Sequence, residues 1–187
     1  MVRRRRKDNG LKAIRTVFFS LCALALLGIV GILALRFWPH QPLPTSVKAD
    51  KILIDKSKRK LTLFRQSKVL KTYHVSLGGG PLGHKERQGD ERTPEGRYRI
   101  DWRNPKSCCH LSLHISYPNA ADKAHARKLG VSPGGNIMIH GLVNGQGWLG
   151  RWHLFWDWTD GCIAVTNEEM REIWNAVPNG TTVDIQP

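Results

Sequence analysis

Polarity along this chain of 187 residues follows three successive patterns. Thr16–Leu35 (TVFFSLCALALLGIVGILAL) is a run of 20 residues with no charge and no polar face. At about 1.5 Å per residue, a helix of that length covers roughly the 30 Å hydrocarbon core of a bilayer, so the run predicts a membrane-spanning helix. From Lys51 onward the period changes to two. Lys51–Asp55 (KILID) and Lys60–Arg65 (KLTLFR) flank the turn-like Lys56–Arg59 and predict a β-hairpin. Val69–Leu77, Arg97–Asp101, Asn136–His140 and Thr181–Ile185 read as further strands. Helical spacing appears at Ala120–Leu129, and again where Met170, Ile173, Trp174 and Val177 share one face. Thr166-Asn167-Glu168-Glu169, just before that second helix, has the form of a capping box. About eight short strands and two small helices predict a mainly β sandwich or barrel of roughly 140 residues.

Charge sharpens this division. The chain carries 29 Lys+Arg against 15 Asp+Glu, a formal charge of +14. Residues 1–36 hold eight basic residues against Asp8, and residues 37–71 hold nine against Asp50 and Asp55. Residues 72–187 hold twelve of each sign. A DNA-binding reading fails on that distribution, and no nucleic-acid partner is expected. Seven Lys/Arg precede the apolar run, which places the N-terminus in the cytoplasm and the remainder outside. The run exceeds the roughly 7–15 residues of a signal-peptide core, and RFWPHQPLPTS offers no small-x-small cleavage site, so a retained anchor is expected. The expected organisation is a basic segment at 1–15, a membrane anchor at 16–38 ending near the interfacial Trp38, a linker at 39–50 containing the Pro-rich His40–Ser46, and one folded domain at 51–187. The basic stretch after the linker reads as a solvated strand surface, with contact to anionic headgroups or wall polymer as the other reading.

Cysteine usage points to the chemistry. Of the four cysteines, Cys22 lies inside the anchor and reads as a small apolar residue. In an oxidising compartment the other three, Cys108, Cys109 and Cys162, cannot all pair with one another. Cys162 follows a turn, Thr159-Asp160-Gly161, and enters the apolar Ile163-Ala164-Val165. Gly161 removes a side chain just before the sulfur, and backbone N–H groups at such a turn can hold an oxyanion. A thiol with an ordinary pKa needs a base, and His140, ending a strand in Ile139-His140-Gly141, is the candidate. The glycine-rich Gly78–Arg92 is a polar loop without a following GK[ST], which excludes a phosphate loop. Cys108–Tyr117 alternates, placing Cys108, His110, Ser112, His114 and Ser116 on one strand face, with His114 the expected substrate contact. Alternate strand residues lie about 7 Å apart, so this face is expected to border a cleft and not to bind zinc. Trp148, Trp152, Phe155, Trp156 and Trp158 crowd the stretch between His140 and Cys162. They predict an aromatic lid, with at least two of the five in the core.

The block Ile139-His140-Gly141, a gap to Trp158, and then Thr159-Asp160-Gly161-Cys162-Ile163-Ala164-Val165 resembles the signature of L,D-transpeptidases of the YkuD type, in their Gram-negative, membrane-anchored form. Gly89-Asp90, Arg92-Thr93-Pro94-Glu95-Gly96 with Tyr98, and Val75-Ser76-Leu77-Gly78 match that family's upstream blocks, so the resemblance runs from about Lys51 to Ile185. It implies a YkuD-like β-sandwich in the periplasm, held at the inner membrane and acting on peptidoglycan stem peptides. It also implies Cys162 as the nucleophile that expels a terminal D-alanine through a thioester, with His140 as acid and base. The Gly141 carbonyl would orient the imidazole, the Gly161 and Cys162 N–H groups would hold the oxyanion, and no metal or organic cofactor is needed. Thr159, Asp160, Trp158 and His114 are expected to touch substrate. Two positions depart from the pattern: Asp160 stands where many members have His, and Ala164 where many have Arg. They leave the acyl acceptor open between an amine and water, the latter giving an L,D-carboxypeptidase or amidase. A non-catalytic wall-binding module is the reading from another class.

Overall fold

The computed structural model describes residues 2–36, 41–80 and 82–187, with side chains from residue 14 to 34 in the first segment. Trp38 at the expected membrane interface, His40 at the head of the expected linker and Pro81 in the glycine-rich loop lie outside the described residues. The chain divides into two units, Met1–His40 and Gln41–Pro187. In the first, helix α1 spans Val2–Arg36. Its stretch Ile14–Ala34 is 21 residues long with mean hydropathy 2.7, and none of it is buried. A helix satisfies its own backbone, and an all-round apolar surface with no protein cover is what a lipid-facing segment presents.

In the second unit, eight strands form one mixed sheet curled into a half-barrel, the mainly β architecture that the alternating pattern predicts. They are β1 (Lys51–Asp55), β2 (Lys60–Arg65), β3 (Lys68–His74), β4 (Gly96–Asn104), β5 (Ser112–Ile115), β6 (Met138–His140), β7 (Ile163–Ala164) and β8 (Thr182–Gln186). Their order is β3-β2-β1-β8-β4-β5-β6-β7, with β1/β8 and β6/β7 parallel and every other pair antiparallel. The hairpin strands carry the bounds the sequence predicts, and their inward residues Ile52, Ile54, Leu61 and Leu63 are fully buried. β4 is the bend in the sheet. Its first residues pair with β8, its last with β5, and the register shifts between Ile100 and Trp102. Such an irregularity adds local twist, which curls the flanking strands around a shared core of Leu113, Ile115, Ile139, Ile163, Val183 and Ile185.

Helix α2 (Ala120–Lys128) lies between β5 and β6, and helix α3 (Asn167–Ala176) between β7 and β8. Thr166 caps α3 as predicted. Its Oγ1 accepts the Glu169 N–H at 3.2 Å while Glu169 Oε2 accepts the Thr166 N–H at 3.0 Å. Met170, Ile173, Ala176 and Val177 enter the core. Trp174, on the same predicted face, is half-buried beneath the Arg103 guanidinium.

Of the predicted strands whose bounds shift, β4 is longer than Arg97–Asp101 and β6 shorter than Asn136–His140, and two others differ in their partners as well. β3 ends at His74, and residues 75–78 change partners: the Val75 N–H reaches Arg59 O, and Ser76 bridges Ala164 beside β7. The alternating Cys108–Tyr117 is a strand only over Ser112–Ile115. Residues 108–111 turn instead, with His110 at φ 66°, and their carbonyls accept N–H groups from the loop after β6. Cys108 and His110 therefore do not share a strand face with Ser112 and His114. Backbone bonds to residues 141 and 144 replace the ladder that side-chain alternation implied.

Because the Thr166 hydroxyl accepts the Glu169 N–H and donates to Glu169 Oε2 at 2.8 Å, Thr166→Ala should lower the unfolding free energy by about 1–2 kcal/mol. Denaturant melts of wild type and variant measure this, and equal midpoints would count against the cap as a stabilising element.

Candidate active site

The segment 157–162 is built to hold Cys162 at the surface of the sheet. Asp157 fastens its start, with Oδ1 accepting the Leu77 N–H at 2.8 Å and Oδ2 paired to Arg59 Nη2 at 2.7 Å. Thr159 closes the turn: Oγ1 donates to the Cys162 carbonyl at 2.8 Å and accepts the Gly161 N–H at 3.3 Å. Gly161 adopts φ 115°, and a Cβ there would sit 2.5 Å from the Arg92 carbonyl oxygen, so only glycine fits. The parallel register of β6 with β7 pairs Ile139 with Ile163 and His140 with Ala164. Continued one residue back, it sets Cys162 opposite Met138, and the Cys162 Sγ lies 3.4 Å from the Asn136 carbonyl oxygen.

His140 and Cys162 line the same cavity of about 320 Å³, together with Ser107, Cys108, Cys109, Asn136, Met138, Trp158, Thr159 and Asp160. His140 Nδ1 lies 2.6 Å from the Gly141 carbonyl oxygen. A carbonyl only accepts, so Nδ1 carries the proton and Nε2 is the basic nitrogen. The Trp158 indole meets the His140 ring edge to face at 5.8 Å.

The resting pair is neutral. Burial pushes the Cys162 thiol up to about 11; the Met138 N–H and Lys85 act against this, and Asp160 and Cys108 add to it. Burial likewise lowers the pKa of His140, opposed by its bond to Gly141. At neutral pH the site therefore holds a thiol and an unprotonated imidazole, an acid and a base that exchange a proton only when a reaction stabilises the resulting charges.

The other predicted site residues are placed as follows. Asp160 is exposed and lies on the shared wall of this cavity and a second one of about 640 Å³, lined also by Lys85, Gln88, Glu91 and Ser132. Trp158 walls the smaller cavity, and the Thr159 hydroxyl is committed to the turn. The Gly161 N–H is likewise engaged with Thr159, whereas the Cys162 N–H has no hydrogen-bond partner among the described residues. His114 does not line the cavity: its Nδ1 is 2.6 Å from Asp101 Oδ1 and its ring stacks on Trp102. The expected lid also takes another form. Trp148, Trp152, Phe155 and Trp156 are exposed, outside both the core and the cavity walls; the first three lie on, and Trp156 directly follows, a 3-10 segment (Gly147–Phe155) that turns at Gly150 and buries only Gly150 and His153.

His153 is the residue the sequence reading missed. It is buried, its Nδ1 accepts the Trp158 Nε1–H at 3.3 Å, and burial pushes its pKa down to about 4 with help from the charges of His140 and Arg151. Trp158 thus stands between two imidazoles. Its spacing from Trp158 in sequence carries no strand or helix period, so no pattern flagged it.

Comparison with known proteins follows the same residues. The family model YkuD, L,D-transpeptidase catalytic domain, matches residues 49–185. YafK of Escherichia coli (strain K12), whose own assignment as an L,D-transpeptidase is provisional, is 35% identical over 143 residues, covering 73% of this chain. The chain spans half the length of that relative, 50%. Among solved structures, the helical cell shape determining protein Pgp2 from Campylobacter jejuni aligns with TM-score 0.56 at 23% identity, over 75% of this chain and 48% of that one. The L,D-transpeptidase (residues 123–326) from Xylanimonas cellulosilytica aligns with TM-score 0.51 at 19% identity, over 79% of this chain and 65% of that one. Both share its fold.

Since only the thiolate alkylates, iodoacetamide labelling of Cys162 should rise about tenfold per pH unit from pH 7 toward 10. Peptide mapping of labelled Cys162 measures it. A plateau already reached by pH 7 would mean a preformed thiolate–imidazolium pair instead of the neutral one.

Proposed function

The chain belongs to the L,D-transpeptidase catalytic domain family, and from that membership we propose that it is a cysteine acyltransferase acting on peptidoglycan stem peptides. The observation that carries this reading is the joint placement of Cys162 and His140 in one cavity, with His140 Nδ1 tied to the Gly141 carbonyl. That bond leaves Nε2 to take the proton of the Cys162 thiol. The thiolate attacks the carbonyl of the L-centre that precedes the terminal D-alanine, and the Cys162 N–H donates to the oxyanion. The imidazolium returns its proton to the departing D-alanine amine, leaving a thioester on Cys162. The amine of a second stem then attacks the thioester, restoring the thiol and forming the new peptide bond.

A two-stem reaction suits the two adjoining cavities. They share Asn136 and Asp160, and the Cys162 Sγ lies beside Asn136 where they meet. The smaller one holds the acyl donor and the larger, with charged Lys85 and Glu91 on its wall, admits the second, zwitterionic stem. Asp160 beside the thiol disfavours the free thiolate, so acylation waits for a bound donor.

The flank of seven basic residues and the apolar Ile14–Ala34 support a single-pass anchor with its N-terminus in the cytoplasm. The catalytic domain then works in the periplasm, where the stems are. Remodelling stems there bears on cell shape, the property named for the Campylobacter jejuni protein.

Mass spectrometry of the purified full chain with a tetrapeptide stem tests the reading. An acyl adduct on Cys162 is expected with release of D-alanine, and Cys162→Ala should show neither. His140→Ala should slow acylation by about 10²–10⁴-fold. Undiminished D-alanine release from Cys162→Ala would sink the mechanism. Adding a second stem separates the acceptors: a cross-linked dimer is expected, whereas tripeptide alone would make the enzyme a carboxypeptidase.

A further inference from the structure

Three thiols meet at the catalytic cavity, and acyl transfer uses one of them. Cys108 and Cys109 hold their Sγ atoms 3.3 Å apart, and both line the cavity that contains Cys162. Cys108 is exposed and Cys109 half-buried. Their turn is fixed in place rather than loosely draped. The Ser107 Oγ accepts the Cys109 N–H at 3.0 Å, and Asn144 Oδ1 accepts the His110 N–H at 3.1 Å. The Cys108 carbonyl accepts the Asn144 N–H at 2.8 Å, and the Cys109 carbonyl the Gly141 N–H at 3.1 Å. The pair is thus pinned to the segment that directly follows His140.

Neighbouring Cα atoms lie about 3.8 Å apart across a trans peptide, short of the roughly 4.4–6.8 Å that a relaxed disulfide spans. A bond between Cys108 and Cys109 is therefore strained and exchanges readily, while Cys162 lines the same cavity from a separate element and is a chain neighbour of neither. We propose that Cys108 is a redox modification site: a disulfide oxidant joins it to Cys162 in a bond that withdraws the nucleophile, and Cys109 is the thiol that reopens it.

The steps balance with a low-molecular-weight or protein disulfide, R–S–S–R, as oxidant. The Cys108 thiolate attacks one sulfur, forming Cys108–S–S–R and releasing RS⁻, which takes up the proton Cys108 gave off. Cys162, its proton passed to His140, attacks Cys108 Sγ and expels the second RS⁻, which takes that proton from His140. The two cysteines have lost two electrons and two protons, and the oxidant leaves as two R–SH. For reopening, Cys109 attacks Cys108 Sγ, the bond to Cys162 breaks, and Cys162 regains a proton. An external thiol then reduces the vicinal disulfide.

That the bond withdraws the nucleophile rests on the proposed acyl transfer; the bond itself does not, and the test reads sulfur connectivity alone. The full chain in detergent micelles is treated with oxidised glutathione and digested with trypsin without reduction. Cys108 and Cys109 both fall in the peptide 107–123 and Cys162 in 152–171. The expected product is these two peptides linked, with alkylation of Cys162 slowed by about tenfold or more and restored by dithiothreitol. Cys108→Ser should abolish the link and keep Cys162 open to alkylation. Cys109→Ser should keep the link but slow its reopening by a limiting amount of external thiol. A bond confined to peptide 107–123, or glutathione adducts alone, with Cys162 alkylated at its reduced rate, overturns the proposal and leaves the acyl-transfer reading standing.

Discussion

The two edges of the sheet meet where Ser76 bridges Ala164, and the geometry of the site depends on that seam. The Ser76 N–H reaches the Ala164 carbonyl at 3.0 Å, the Ala164 N–H returns to Ser76 at 2.9 Å, and the Gly79 N–H reaches Thr159 at 2.9 Å. Each such bond nets about 1 kcal/mol, yet leaving its buried partners unpaired costs about 1–3 kcal/mol, so the seam is strongly specified. It draws the chain after β3 beneath the turn that carries Cys162, so close that a Cβ on Gly78 would lie 2.8 Å from the Gly161 Cα and 1.8 Å from the Glu91 carbonyl oxygen. Two glycines in contact are what allow a strand edge and the Cys162 turn to occupy the same place.

From that placement follows an electrostatically quiet site. The curled sheet buries His140 and leaves Cys162 half-buried, and desolvation is the largest influence on each, raising the thiol and lowering the imidazole. Both shifts favour the uncharged forms. The thiol and the imidazole therefore rest uncharged, and the backbone carbonyl of Gly141 sets the tautomer without adding a charge. On the other side of the His140 ring, Trp158 is held by His153, a second imidazole kept neutral by burial. The cavity wall is therefore tuned by neutral contacts, with Asp160 the carboxylate at its rim.

Much of this was legible along the chain. Ile52, Ile54, Leu61 and Leu63 announce the first hairpin because a strand's two faces are written directly in its alternation. The α3 cap is equally local, since Thr166 and Glu169 need only helical spacing to find each other. The family and the mainly β fold were visible in blocks around His140 and Cys162. The aromatic stretch 148–158 was not. Burial there depends on how a 3-10 segment turns at Gly150, and composition says nothing about the direction of a turn. The same holds for Cys108–Tyr117, where alternation continues through a region whose backbone bonds go to residues 141 and 144. His114 is drawn toward Asp101 and Trp102 on the adjacent strand, partners that register alone supplies.

Local sequence pattern by itself sufficed for the first hairpin, the α3 cap, the apolar span at the N-terminus and the residue types able to do thiol chemistry, because these depend on neighbours two to four positions apart. Tertiary structure decided which of those residues meet. It set Cys162 opposite Met138, left the Cys162 N–H without a partner among the described residues while engaging that of Gly161, and gathered two further thiols into the same cavity. It also buried a histidine that no motif marks. Such outcomes are fixed by strand register and by the joining of the two sheet edges, which bring together residues dozens of positions apart and follow from the packing of the whole core.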